Sequence, residues 1–218
     1  MAKAATDGLI VRETAHHFDS AEQEFDSVKT GMWLFLASEI MMFGGLFVGC
    51  ILFITLHNEA FREGARHLDW RLGTLNTFFL LTSGLTMGLA LHAAQNARQV
   101  WVRRYLLISI LLAAGFLVVK FIEYKTKIDH GTLPGILWHG HGFTDPFVHV
   151  FFGIYFVMTG LHGLHVLIGM GLMIWCWFVA GKYRFSRSYF TPVEMSALYW
   201  ALVDLIWVFL FPLLYLIG

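Results

Sequence analysis

Residues 32–56 form an almost unbroken apolar run, MWLFLASEIMMFGGLFVGCILFITL, with a single acid inside it, Glu39. At about 1.5 Å rise per residue, a helix of this length crosses the roughly 30 Å hydrocarbon core of a bilayer. Glu39 then lies about 12 Å in from the helix start, at hydrocarbon depth. A carboxylate near a helix centre costs about 2.5–3.5 kcal/mol on insertion scales. Three roles fit such a residue: a proton site, a partner for a cation, or a neutral acid bonded to another helix. The plainest version of the third is a hydrogen bond to a nearby Ser or Thr.

Four more apolar stretches follow, at about 74–97, 105–125, 147–180 and 193–217. No segment alternates as a strand does, so the expected fold is all-α: a polytopic membrane bundle of five transmembrane helices. Charged residues make up 14% of the chain, against about a quarter in a soluble domain. Net charge is zero and no basic stripe occurs, which excludes nucleic acid as a partner class. Residues 1–29 hold three basic and six acidic residues and no apolar core of a signal peptide, so they read as a polar tail ahead of a bundle at 30–218. With that tail cytoplasmic, nine basic residues fall inside and five outside, which predicts a cytoplasmic N-terminus and an outer C-terminus. The stretch 126–146, rich in Gly, Pro and His, reads as an irregular loop.

The polar residues inside these spans are the candidate functional residues. Lys120 and Glu123 are three apart, on one helix face, and suit an ion pair near the outer interface from which Lys120 can also snorkel. His162 and His165 share the same spacing. Two imidazoles on one face can bind a metal or a haem, or hydrogen-bond to carboxyls on other helices, Glu39 and Glu123 being the obvious ones. Asp204 lies mid-span between Trp200 and Trp207 and calls for an interhelical partner. Glu194, next to Pro192, suits the positive end of its helix dipole. His139, His141 and His149 gather near the third loop, where a surface metal is one reading and plain solvation the other. Cys50 and Cys176 sit in apolar stretches and read as small buried residues. Gly45 with Gly49, and Gly84 with Gly88, have the spacing that lets membrane helices approach closely. No phosphate-binding loop, dinucleotide fingerprint, HExxH or CxxC occurs, and no catalytic triad assembles.

Several of these residues fall in strings with a family likeness: GMWLFLASE at 31–39, LNT at 75–77 with LLTSGLT at 80–86, TGLHGLHV at 159–166, and YWALVDLIWVFLF at 199–211. From about residue 30 to its end the chain resembles subunit III of the haem–copper respiratory oxidases. The resemblance implies an accessory subunit without redox cofactors of its own, packed against catalytic subunit I and other oxidase subunits. Haem and copper are then expected in those partners, and phospholipids in a helix cleft. It implies that Glu39 matches the family's carbodiimide-reactive membrane carboxyl, and that His162, Glu123 and Asp204 match polar positions of the family's bundle. The implied role is support of proton uptake by subunit I and its protection from inactivation during turnover, in a bacterial cytoplasmic membrane.

Three departures stand out. Many family members have two further helices at the start, which are absent here as in shorter bacterial and quinol-oxidase forms. Ala201 replaces a common His, and Lys120 stands where a neutral polar residue is frequent. Three other functions stay open at this point. One is a related accessory subunit of a nitric oxide reductase system. Another is a haem-binding electron carrier using His92 with His162 or His165. The third is a small transporter built around Glu39 and Asp204.

Overall fold

The computed structural model describes residues 20–133, 143, 145–182, 185 and 189–217. The tail histidines His16 and His17, and the loop histidines His139 and His141, lie outside the described residues. Every element described is a helix: α1 Ala21–Leu56, α2 Asn58–Arg66, α3 Trp70–Gln95, α4 Gln99–Asp129, α5 Val148–Lys182 and α6 Thr191–Tyr215. All but α2 are long and apolar enough to cross a membrane, so the five expected spans are present.

Helix ends follow local chemistry more than hydropathy. α1 begins at Ala21, nine residues ahead of the boundary expected at residue 30, because Ser20 caps it. Its hydroxyl accepts from the Gln23 backbone N–H at 3.1 Å, and Glu22 and Glu24 occupy the first turn. Asp69 caps α3 in the same way, accepting from Arg71 N–H at 2.9 Å. The short helix α2 was not anticipated. It is amphipathic, with Ala60, Phe61, Gly64 and Ala65 buried and Glu59, Arg62, Glu63 and Arg66 on its other side. Gly64 is needed there, since a Cβ would strike the Phe151 ring.

α3 and α4 are joined by a tight turn that ends α3 in a Schellman arrangement. Arg98 N–H donates to Ala93 O at 2.9 Å and Ala97 N–H to Ala94 O at 3.0 Å. The left-handed position is Ala97, at φ 55°, whereas the matching position after α4 is Gly131, at φ 67°. A Cβ in that conformation costs roughly 1–2 kcal/mol. Ala97→Gly should therefore stabilise the protein by about 1 kcal/mol once glycine's greater unfolded-state freedom is subtracted. Denaturant unfolding in detergent checks this; an unchanged or lower midpoint refutes it.

Packing is periodic. Along α4 the buried residues are Val102, Leu106, Ser109, Ala113, Phe116, Lys120 and Glu123, at alternating steps of four and three. That is the spacing of knobs-into-holes bundles. α3 to α6 close into a four-helix core, with α4 between α3 and α5, and α6 between α5 and α3. α1 leans on the outside of α6 and touches the bundle along a seam of Leu36, Phe43 and Cys50, seven residues apart. Most of its remaining surface is exposed apolar side chain, Leu34, Met41 and Val48 among them, as suits a lipid-facing or partner-facing helix. Gly45 and Gly49 do not mediate a close approach among the described residues: a Cβ on either would meet nothing within 4 Å. Their face of α1 points away from the bundle.

Candidate functional site

Three polar clusters are built into the spans. The first joins α1 to α5. Glu39 Oε2 lies 2.8 Å from His165 Nε2, with both side chains largely shielded. His165 Nδ1 lies 2.7 Å from Leu161 O, and a carbonyl oxygen can only accept, so Nδ1 carries a hydrogen. Nε2 then has two states open to it. Either it accepts a hydrogen from the neutral Glu39 acid, or it is itself protonated and faces a carboxylate. The two states differ by the position of one proton and share a net charge of zero. The Phe43 ring stands edge-on to the imidazole at 5.2 Å, and Tyr199 stacks near it at 6.4 Å.

The second cluster links α4, α5 and α6. Lys120 Nζ donates to Glu123 Oε2 at 3.1 Å and to the hydroxyls of Tyr155 at 3.3 Å and Tyr215 at 2.6 Å. Those hydroxyls donate onward to Glu123 Oε1, at 2.9 and 2.6 Å. The ammonium also lies 5.0–5.7 Å from the ring centres of Tyr124, Tyr155, Trp207 and Tyr215. The expected pair is thus present, but Lys120 does not snorkel. It points inward because carboxylate, phenols and ring faces satisfy it there. A cavity of about 420 Å³, lined by His67, Asp69, Lys127 and His130, reaches Glu123 from the end of the bundle.

The third cluster ties α6 to α3. Trp200 Nε1 donates to Ser83 Oγ at 3.0 Å, and Trp207 Nε1 to Thr77 Oγ1 at 2.9 Å. Gly169 on α5 leaves room for the Trp200 ring, which a Cβ there would meet at 2.6 Å.

A family model described as cytochrome c oxidase subunit III matches residues 6–218, nearly the whole chain. The chain belongs to that family. The cytochrome c oxidase subunit 3 of Thermostichus vulcanus is 33% identical over 207 residues, covering 94% of this chain and 94% of the relative. That of Corynebacterium diphtheriae is 32% identical over 200 residues, covering 87% and 88%. The quinol oxidase subunit 3 of Bacillus spizizenii is 30% identical over 195 residues, covering 86% of each. The protein is a subunit III of a terminal oxidase of the cytochrome c or quinol type, and its partners are other oxidase subunits.

The remaining candidates of this subunit III fare differently. His162 and His165 share a helix but not a neighbourhood. His162 is wholly buried between Phe116 and Trp207, and both its ring nitrogens lack a hydrogen-bond partner among the described residues. The carboxyl partner expected for it is absent, because Glu123 is engaged by Lys120 and the tyrosines. Asp204 likewise lacks the expected interhelical partner among the described residues. Its Oδ1 is buried without a hydrogen bond, and its Oδ2 lies against Gly84 of α3, close enough to bar any Cβ there. Glu194 sits in the first turn of α6 as expected and also pairs with Lys29 of α1 at 3.3 Å. His92 pairs with Asn96, and His149 Nδ1 bonds Pro146 O. Among the described residues no group of three or more His, Cys, Asp or Glu side chains could hold a metal ion.

Tyr155, Tyr215, Ser83 and Thr77 escaped the sequence reading. Each is polar in an apolar helix at core spacing, the one signal that could have found them.

Proposed function

We propose that this subunit supports proton uptake and turnover stability of catalytic subunit I and carries out no redox step itself. It does so with its N-terminus in the cytoplasm of a bacterial inner membrane, with bound phospholipids and with haem and copper held by its partners. The observation that carries this reading is the Glu39–His165 pair. It holds one transferable proton at hydrocarbon depth, between the outlying helix α1 and the core. A neutral acid–imidazole pair can take or release that proton without leaving two unpaired charges in lipid. Glu39 is also the position that matches the family's carbodiimide-reactive carboxyl.

Glu39→Ala should leave the oxidase assembled and its initial oxygen reduction largely intact. Protons taken up per electron should fall, or the number of turnovers before inactivation should drop. Glu39→Gln separates proton chemistry from packing, since an amide can still donate to Nε2 but has no acid proton. If Gln restores wild-type proton uptake and lifetime, the carboxyl serves packing alone and the reading fails.

A further inference from the structure

A groove of about 570 Å³ runs between α3 and α6, lined by Gly84, Gly88, Ala197, Ala201 and Asp204, with Glu194 toward one end. Asp204 is only 8% exposed and makes no hydrogen bond or ion pair among the described residues. Glu194 Oε2 is also buried without a hydrogen-bond partner among the described residues. Gly84, Gly88, Ala197 and Ala201 line part of the groove, among larger side chains such as Leu81 and Leu205, and a Cβ on Gly88 would meet nothing within 4 Å. We propose that this groove is the seat of a transmembrane helix from another subunit of the oxidase, which presents a hydrogen-bond donor to Asp204.

The depth of Asp204 selects the kind of occupant. It lies about 20 Å along α6 from Thr191, in a helix of 25 residues, hence near the bilayer midplane. Lipid headgroups stay at the membrane surfaces, and acyl chains carry no donors. A donor at that depth belongs to a protein side chain: a hydroxyl, amide, indole or cation. Acids in membrane spans face partners or polar cavities, and small residues let a second backbone come close. Ala201 stands one turn before Asp204, exposed in the groove, where its small side chain leaves room for an incoming helix beside the acid. The proposal rests on the chain's place among oxidase subunits and is independent of what Glu39 does.

A photoreactive amino acid placed at position 201 of the intact oxidase tests this directly. On irradiation the expected product is a covalent adduct to a transmembrane segment of another oxidase subunit, identified by mass. Adducts to lipid chains alone, in a complex that keeps its subunits and activity, overturn the proposal. A second measurement uses Asp204→Leu and Asp204→Asn. Interhelical polar contacts in membranes are weak, so Leu should reduce the fraction of subunit III retained through detergent washing by about threefold to tenfold. Asn, which still offers an acceptor, should retain most of it. Equal retention of the Leu variant and wild type counts against the groove. Neither readout involves proton uptake, so failure here is distinct from failure of the role given to Glu39.

Discussion

Replacing Lys120 with Met is expected to destabilise the bundle by about 3–5 kcal/mol, because it strands Glu123. In the native protein that carboxylate accepts from Lys120, Tyr155 and Tyr215, and it is almost fully buried. Without the ammonium, its charge would keep two phenols but no hydrogen-bonded cation, leaving only Lys127 across the cavity. The loss should be much smaller in the double variant Lys120→Met with Glu123→Gln. A neutral amide still accepts from both tyrosines and leaves no bare charge. Unfolding in detergent, followed by helical circular dichroism, gives all the values needed. A single-variant loss below about 1 kcal/mol would show that the pair adds nothing. So would a double variant no more stable than the single one. Tyr215→Phe should fall between these, at about 1–3 kcal/mol, since it removes one donor to a buried carboxylate.

Trp207→Ala should cost about 3 kcal/mol or more, the second large effect. The indole has no exposed surface and meets Phe116 edge-on at 4.9 Å, His162 at 5.2 Å and the Lys120 ammonium at 5.0 Å. In a membrane, removing it forfeits dispersion contacts and opens a cavity. Transfer from water contributes little, because the unfolded reference is also in lipid. The loss therefore belongs at the low end of the range for Trp truncations in soluble cores. Trp207→Phe should retain most of the packing and lose only the bond to Thr77. That hydroxyl keeps its own bond to Gly73 O at 2.9 Å, so the cost should be near 1 kcal/mol. A Phe variant as unstable as Ala would mean that the hydrogen bond, not the ring volume, holds α6 to α3.

Hydropathy located the five spans because water and lipid are such different solvents: a run of over twenty apolar residues has one stable place. The short helix α2 carries no such signal. Its nine residues are polar on average, and its short apolar face of Ala60, Phe61, Gly64 and Ala65 finds its place only on α5, where Phe61 and Gly64 meet Phe151. The polar clusters were half legible. Lys120 with Glu123 was predictable, since a spacing of three puts both on one helix face whatever surrounds them. The pairing of Glu39 with His165 was one of several open combinations, and His162 was an equal candidate. Nothing local says which of two imidazoles about 60 degrees apart around the helix turns toward α1 and which toward Trp207.

The chain alone determined its solvent, its number of spans, its family and the list of polar side chains that lipid would not tolerate unpartnered. Only the assembled bundle decided which of those side chains meet. Helix rotation and depth against the neighbouring helices bring Glu39 to His165 and close two tyrosines over Lys120, while Asp204 is left facing a groove. Those pairings span 35 to 126 residues of sequence, and interatomic distance at that range is a property of packing rather than of composition.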